Sequence, residues 1–137
     1  VLTDWTGSYD KPDFYNWAIT LKEHGDEPIG SIAVVRINSA TDCAAMGYAM
    51  SRAHWRKGIM PEALKALVDF LFDEVGFNRI EAEHDVNNPA SGRVMEKAGL
   101  RYEGTLRQSG RSNQGIIDVV WRAILKQDWR NEHEQAH

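Results

Sequence analysis

The sequence predicts an α+β fold, a mixed α/β arrangement in which helices flank a central, mostly antiparallel, twisted sheet. Three strand-like segments follow one another between Phe14 and Met50 with no helix between them. Two helical segments then alternate with strands, which makes two strand–helix–strand crossovers. The chain has 137 residues, of which 42% are hydrophobic. We therefore expect one domain over residues 1–137, with a polar tail at 130–137.

Local patterns assign the first half of the chain to short strands joined by turns. Residues 1–9 have the pattern of the end of a helix, and a turn follows at 8–13. Strands are predicted at 14–21, 29–37 and 44–50, where aromatic and β-branched residues are frequent. Turn residues such as Gly, Asn and Asp separate these strands.

The second half contains two predicted helices, each with clear boundary signals. The first runs from Pro61 to Val75, with apolar residues at helical spacing and a left-handed cap at Gly76. The second begins at Asn88, an N-cap followed by a proline, and ends at Gly99. Three further strands are predicted at 79–86, 101–106 and 116–125, and the tail after Trp129 is predicted to be frayed.

The stretch 51–62 has the features of an anion site. If Pro61 is the first helical residue, Met60 is the N-cap and offers no side-chain acceptor to the free backbone N–H groups. Gly58 allows a ligand to approach the backbone closely. The basic residues of the stretch are Arg52, Arg56 and Lys57. Together these features indicate a phosphate site, although an ordinary loop with solvated basic residues explains them equally well.

Composition argues against several classes of function. The net charge of -4 disfavours nonspecific binding to nucleic acid. The one cysteine, Cys43, cannot form an internal disulfide, which fits a reducing compartment. No apolar run reaches the length of a membrane span and no secretory signal is visible, so a cytoplasmic location is expected. The histidines have no spacing typical of a metal site, and no metal is expected.

Short stretches in a specific order, from about Trp17 onward, connect this chain with a known family. They are Ile29-Gly30-Ser31, Gly47-Tyr48, Trp55 to Ala63, Asn78 to Ala82, Asn88 to Ser91, Glu96 to Gly104, and Asp118. In their order and spacing the chain resembles the GNAT superfamily of N-acetyltransferases, and within it the RimJ/RimL group of ribosomal-protein N-terminal acetyltransferases. The resemblance implies a GNAT fold, acetyl-CoA as acyl donor and an amine acceptor. It leaves a homodimer possible.

The resemblance also implies roles for individual residues. The end of the third strand, Met50 and Ser51, would pair through its backbone with the pantetheine arm. Asn88 would hydrogen-bond the pantetheine, Ser91 would hydrogen-bond or protonate the leaving thiolate, and Lys97 would reach the nucleotide end. The loop residues that would bind the pyrophosphate through their amides are Arg56, Lys57, Gly58, Ile59 and Met60.

The chain departs from the family pattern at several places. Trp55 and Met60 hold loop positions where the family usually has Arg or Gln and Gly or Ala, so Met60 would contribute only its amide. Some members have a glutamate in the segment 108–115 as a candidate general base, whereas this chain has Gly110 at the nearest position. Members normally begin with a strand and a complete helix, and we expect these to be absent here.

Each candidate residue also has a simpler interpretation. Glu83, His84 and Asp85 either line a cleft for an ammonium substrate or belong to a solvated strand face, with His84 as a core histidine. Without the family, Asn88 can be only an N-cap and Ser91 only a surface hydroxyl.

Three classes of function remain open at this point. The first is an N-acetyltransferase in which a protein N-terminal α-amine, a polyamine or another small amine attacks the acetyl group directly. The second is a non-catalytic acyl-CoA-binding module of the same fold. The third is a different nucleotide-binding protein, which the absence of a Gly-x-x-x-x-Gly-Lys-Ser/Thr motif disfavours.

Overall fold

The computed structural model describes residues 2–4, 15–19, 29–50 and 58–135 of the chain. Its elements are β1 (Leu2–Asp4), β2 (Tyr15–Ile19), β3 (Gly30–Asn38), β4 (Cys43–Met50), α1 (Ile59–Phe70), β5 (Arg79–Asp85), α2 (Pro89–Lys97), β6 (Arg101–Ser112), β7 (Gly115–Leu125) and α3 (Lys126–Gln135). A π-helical turn, Leu71–Val75, follows α1 directly. The strands form one seven-stranded sheet in the order β1-β2-β3-β4-β5-β7-β6.

The predicted mixed α/β fold with a mostly antiparallel sheet is confirmed. Every neighbouring pair of strands is antiparallel except β4 and β5, which are parallel and are joined by the α1 crossover. Most predicted strands are present with slightly shifted ends. The strand predicted at 101–106 is longer and reaches Ser112, because its second half pairs with β7 in a hairpin.

Two predictions are wrong near the ends of the chain. The sequence predicts the end of a helix over residues 1–9, but Leu2–Asp4 form a strand that pairs with Trp17–Ile19. Pairing along the edge of a sheet outweighs a weak local pattern over so few residues. The sequence also predicts a frayed tail after Trp129, whereas α3 is helical to Gln135.

One apolar cluster joins the helices to a single face of the sheet. The α1 helix contributes Leu64, Leu67 and Val68, and the π-helical turn contributes Leu71; each is at most 3% exposed. Val75, predicted on the same apolar face, is instead 37% exposed. The strands contribute alternate residues, as expected for one face of a pleated sheet. These strand residues include Ile32, Val34, Ala44, Met46, Ile80, Ala82 and Ile124. Met95 of α2 and Trp129 of α3 belong to or contact the same cluster, so all three helices pack on this face.

Gly76 ends the helical segment in the way the sequence predicts. Its φ of 95° lies in the left-handed region, which glycine adopts without steric cost. The N–H groups of Gly76 and Phe77 both donate to the carbonyl of Leu71, at 2.9 and 3.1 Å. This cap turns the chain directly into β5.

Trp129 attaches α3 to the preceding helix, which gives a test of the C-terminal packing. Its indole N–H donates to Asp69 (Nε1–Oδ1 2.7 Å), and its ring centroid lies 5.6 Å from that of Phe72. We expect Trp129→Ala to lower the free energy of unfolding by about 3 kcal/mol. Trp129→Phe keeps an aromatic ring and loses the donor, so it should cost about 1 kcal/mol. Urea denaturation measures both, and equal losses would contradict this account of the packing.

Candidate active site

The parallel strands β4 and β5 separate before they end. Their pairing runs from Cys43 opposite Arg79 to Met46 opposite Ala82, and stops there. Both strands continue, β4 to Met50 beside β3 and β5 to Asp85 beside β7. We call the space between residues 47–50 and residues 83–85 the strand gap. Backbone groups that face it have no partner from the opposite strand, so an extended ligand could pair with them.

Two helices begin at the open end of the strand gap. In a strand–helix–strand crossover, the helix starts at the carboxyl end of the strand before it, where ligands of α/β sheets usually bind. The α1 helix follows β4, and α2 follows β5 after a turn of three residues. Helix N-termini present unpaired N–H groups and a positive dipole, so both starts favour a polar or anionic ligand.

The α1 helix begins earlier than the sequence predicts. Gly58, with φ of 76°, is the N-cap, and Pro61 is the third helical residue rather than the first. Met60 is therefore not the N-cap; its side chain is only 6% exposed and fills the core, so it can offer a ligand only its amide. No side chain of the described residues caps the helix, as the sequence predicts. Ile59 is the first helical residue, and Ser51, Arg56 and Lys57 lie outside the described residues.

The start of α2 confirms the predicted cap. The side-chain oxygen of Asn88 accepts a hydrogen bond from the Ser91 N–H at 3.3 Å, and Pro89 lies in the first turn. The cap uses only the oxygen of the amide group. The NH₂ group of Asn88, an exposed residue, can still donate to a ligand.

A tyrosine that the sequence predictions did not select meets Ser91. The hydroxyl of Tyr48 lies 2.8 Å from Ser91 Oγ and 3.0 Å from the Ser91 carbonyl oxygen. Tyr48 is the second residue of β4 beyond the last pair with β5, and Ser91 lies in the first turn of α2. The contact therefore links the two sides of the strand gap. Burial raises the pKa of the Tyr48 phenol, although its hydrogen bond to Ser91 works in the opposite direction.

The three candidate substrate residues on β5 do not converge. Glu83 lies opposite Trp121 and His84 opposite Val120, so the two side chains project from opposite faces of the sheet. Asp85 accepts a hydrogen bond from the Asn87 N–H at 2.9 Å and thereby supports the turn before α2. Of the three, Glu83 is an exposed carboxylate at the rim of the strand gap.

His84 is shielded by α2. Its Nδ1 lies 2.8 Å from the Asp85 carbonyl oxygen, and its Nε2 is buried with no hydrogen-bond partner among the described residues. A Cβ atom built on Gly92 would come within 2.9 Å of Nε2, so the absence of a side chain at 92 lets the helix lie on the imidazole. A base must reach the proton that it removes. In this arrangement His84 cannot do so.

The segment 108–115 has no room for a side chain at Gly110. A Cβ atom there would lie 2.7 Å from a methyl group of Val119. Gln108 begins this segment at a φ of 51°, and its N–H donates to Asp118 (Oδ1, 2.7 Å). Asp118 also accepts from the Val86 N–H through its carbonyl oxygen, at 3.1 Å. Asp118 therefore fixes an irregular strand segment to the end of β5.

The last candidate, Lys97, lies far from the other site residues along α2. It is exposed and ends the helix, six residues after Ser91, which corresponds to roughly 9 Å along the axis. A cation in the last turn of a helix also interacts favourably with the helix dipole. In the described ranges, no three His, Cys, Asp or Glu side chains come together as a metal site. In the same ranges, no helix is long and apolar enough to cross a membrane.

The model of the acetyltransferase (GNAT) domain matches residues 1–101. The chain belongs to the GNAT acetyltransferase family. It is 33% identical to the uncharacterized N-acetyltransferase p20 of Bacillus licheniformis, over 82% of this chain and 63% of that protein. It is 35% identical to the probable N-acetyltransferase YjcK of Bacillus subtilis, over 93% of this chain and 70% of that protein.

The expected similarity to the ribosomal-protein group of GNAT enzymes is also present. The chain is 33% identical to the ribosomal-protein-serine acetyltransferase of Escherichia coli, over 69% of this chain and 52% of that protein. Among these curated relatives, the chain spans between about half and 70% of each relative's length.

Solved structures support the same fold. A ribosomal-protein-S5-alanine acetyltransferase from Vibrio fischeri superimposes with a TM-score of 0.82 at 21% identity, over 89% of this chain and 67% of that chain. A SpeG spermidine N-acetyltransferase variant from Vibrio cholerae gives 0.81 at 20% identity, over 92% and 73% of the two chains. At these identities the likeness concerns the fold alone, and the expected GNAT fold is confirmed.

The contact between Gly92 and His84 leads to a test of how α2 is held. Gly92→Ala should displace α2 and lower the free energy of unfolding by about 1–3 kcal/mol, since the new methyl group meets the imidazole. In a His84→Ala background the clash is absent. The same change should then be neutral or stabilising, because alanine favours a helix more than glycine does. Denaturant unfolding of the four proteins decides the matter, and an equal loss in both backgrounds would refute the contact.

Proposed function

We propose that this protein is an acetyl-CoA-dependent N-acetyltransferase that moves an acetyl group to a primary amine. The observation that carries the proposal is the strand gap between β4 and β5, with two helix N-termini at its open end. An extended thioester with a phosphate-rich head matches such a place. The backbone along the gap suits its amide groups, and an uncapped helix start suits its phosphates. Family membership supports the same donor, because acetyl-CoA use is a property of GNAT enzymes.

The residues of the site suit the parts of acetyl-CoA in a definite order. In this proposal the amides of Gly58, Ile59 and Met60 bind the pyrophosphate, together with Arg56 and Lys57 of the preceding loop. The backbone at Met50 and Ser51 pairs with the pantetheine arm, and the NH₂ group of Asn88 donates to it. Lys97 interacts with the nucleotide end. The available amides at α1 and the unused NH₂ group at Asn88 are the features that fit this assignment.

The reaction that we propose is a direct attack. A neutral amine nitrogen bonds to the acetyl carbonyl carbon, the carbon–sulfur bond breaks, and the thiolate leaves with the electron pair. The ammonium proton passes to water, before or after the attack. Backbone N–H groups near Met50 and Ser51 polarise the carbonyl oxygen. Ser91 donates a hydrogen bond to the leaving sulfur, which a hydroxyl can do in a largely buried site.

The acceptor that suits this site best is a protein N-terminal α-amine or another small amine of similar basicity. Two observations support the choice. His84 is shielded by α2, and position 110 has no space for a carboxylate, so neither group can deprotonate an ammonium ion. An acceptor that is partly neutral at physiological pH needs no such base, and an α-amine has a pKa of about 8. Glu83 at the rim of the gap would attract the positively charged form of the acceptor.

A non-catalytic acyl-CoA-binding module is the second candidate, and the same two observations favour it. A site in which neither His84 nor position 110 supplies a base can bind the donor without transferring the acetyl group. Incubation with acetyl-CoA and a panel of N-terminal peptides and small amines, read by mass spectrometry, separates the candidates. Acetylated products support the enzyme; tight binding of acetyl-CoA with no product on any amine supports the module.

The phosphate assignment is tested by a matched pair of substitutions at Gly58. Asn and Asp have almost the same shape, and asparagine tolerates the left-handed conformation that this position requires. Among the described residues, no atom lies within 4 Å of a Cβ built there, so they leave space for either side chain. We expect Gly58→Asn to weaken acetyl-CoA binding only mildly and Gly58→Asp to weaken it by about tenfold or more, because the carboxylate repels phosphate. Calorimetric titration measures both, with acetylpantetheine as a ligand that lacks the nucleotide phosphates. Equal affinities of the two variants for acetyl-CoA would remove Gly58 from the phosphate site.

The proposed lack of a protein base predicts a specific pH dependence. For acceptors of different basicity, kcat/KM should rise with pH and level off near the pKa of each acceptor, about 8 for an α-amine and about 10.4 for a lysine side chain. His84→Gln should leave this profile in place. A profile fixed at one pH for all acceptors, and lost in His84→Gln, would instead identify His84 as the base.

A further inference from the structure

The contact between Tyr48 and Ser91 is the link across the strand gap on the helix side of the sheet. Tyr48 lies in the part of β4 beyond its last pair with β5. Its side chain points to the same face of the sheet as that of Met46, which lies in the core. Ser91 comes from the first turn of α2, 43 residues later in the chain. The phenol is largely enclosed, and its two polar partners among the described residues, Oγ and the carbonyl oxygen, both belong to Ser91.

Three oxygen atoms share two protons in this cluster, which allows two hydrogen-bond patterns. In the first, the Tyr48 O–H donates to the Ser91 carbonyl (3.0 Å), and the Ser91 O–H donates to the phenol oxygen (2.8 Å). In the second, the Tyr48 O–H donates to Ser91 Oγ. The serine proton is then free to donate elsewhere. The patterns differ only by rotation of two O–H bonds, and no heavy atom has to move.

We propose that Tyr48 is a positioning residue that releases the Ser91 O–H towards the leaving sulfur of acetyl-CoA. This inference rests on the proposed function, because it concerns the same donor site. A serine hydroxyl that accepts a hydrogen bond from the phenol is a stronger donor than one that does not, since donors in a chain polarise one another. Without Tyr48 the Ser91 hydroxyl loses this partner and is free to rotate.

No proton leaves the phenol in this scheme. Burial raises the pKa of Tyr48 above its ordinary value, so the phenol stays protonated through the neutral range and keeps its proton as a hydrogen-bond donor. The thiolate receives a hydrogen bond from Ser91 as the carbon–sulfur bond breaks. Its final proton comes from solvent after CoA is released.

The test compares CoA with desulfo-CoA, which lacks the sulfur atom. If Ser91 donates to the thiolate, the bound thiol should titrate below the value of about 8.5 for a free thiol. At pH values above the lowered pKa of the bound thiol, CoA should bind more tightly than desulfo-CoA. Tyr48→Phe should reduce this preference severalfold and leave desulfo-CoA affinity within about twofold, and it should lower kcat by up to about tenfold, the size of one hydrogen bond. Calorimetry and the ultraviolet absorbance of bound thiolate provide the readouts.

A double-mutant cycle and a control variant complete the design. In a Ser91→Ala background, Tyr48→Phe should have no further effect on kcat or on the CoA preference, because Tyr48 acts only through Ser91. Tyr102→Phe removes a phenol that bonds Thr105 on the exposed edge of the sheet, and it should change none of these values. Tyr48→Phe keeps the ring that packs against the core, and Ser91→Ala tests the serine half of the contact separately.

The outcomes distinguish a failure of the proposed role of Tyr48 from a failure of the proposed function. Equal loss of CoA and desulfo-CoA affinity in Tyr48→Phe would show that Tyr48 only braces the strand gap, and would overturn the inference. Additive losses of kcat for Tyr48→Phe and Ser91→Ala in the double-mutant cycle would also overturn the inference. So would a Tyr48→Phe variant with the same kcat and the same CoA preference as the parent protein. If the parent protein binds neither CoA nor acetyl-CoA, the proposed function itself fails.

Discussion

The end of pairing between β4 and β5 is the constraint on which the rest of the site depends. Two parallel strands that separate leave backbone groups without partners, and such groups are costly unless water or a ligand satisfies them. The separation persists because each strand is held by its other neighbour: β4 pairs with β3 as far as Met50, and β5 pairs with β7 as far as Asp85. The buried residues Ile32 and Ile80 fix the two halves of the sheet on the common core.

Features that depend on neighbouring residues could be predicted from the sequence. Asn88 caps α2 and Gly76 ends the segment after α1 because the signal and the structure that it determines lie within one turn of helix. The start of α1 shows the limit of such signals. Pro61 is compatible with any position in the first turn, and the helix begins two residues before it, with Met60 buried in the core. The family resemblance correctly predicts the fold as a whole, whereas the local patterns at both ends of the chain predict the wrong structure.

Features that depend on contact between distant segments could not be predicted. Alternation along β5 correctly put His84 on the apolar side, but it could not reveal that Gly92 would let α2 cover the imidazole. Tyr48 was present in a family stretch, yet nothing local marks it as the partner of a serine on another element. A periodic pattern tells which face a side chain occupies, whereas its chemistry depends on what the fold brings to that face.

The described part of the site is rich in hydrogen-bond donors, and its exposed carboxylate, Glu83, lies only at the rim. Available donors are the amides at the start of α1, the NH₂ group of Asn88 and the linked hydroxyls of Ser91 and Tyr48. The basic nitrogen of His84 is buried, and Gly110 leaves no room for a carboxylate. Donors stabilise negative charge on a leaving sulfur or a carbonyl oxygen, but they do not remove a proton from an ammonium ion. An arrangement of this kind lowers the barrier to breaking the thioester bond but does not deprotonate the amine. The amine must therefore bind in its neutral form, so its own basicity becomes a determinant of specificity.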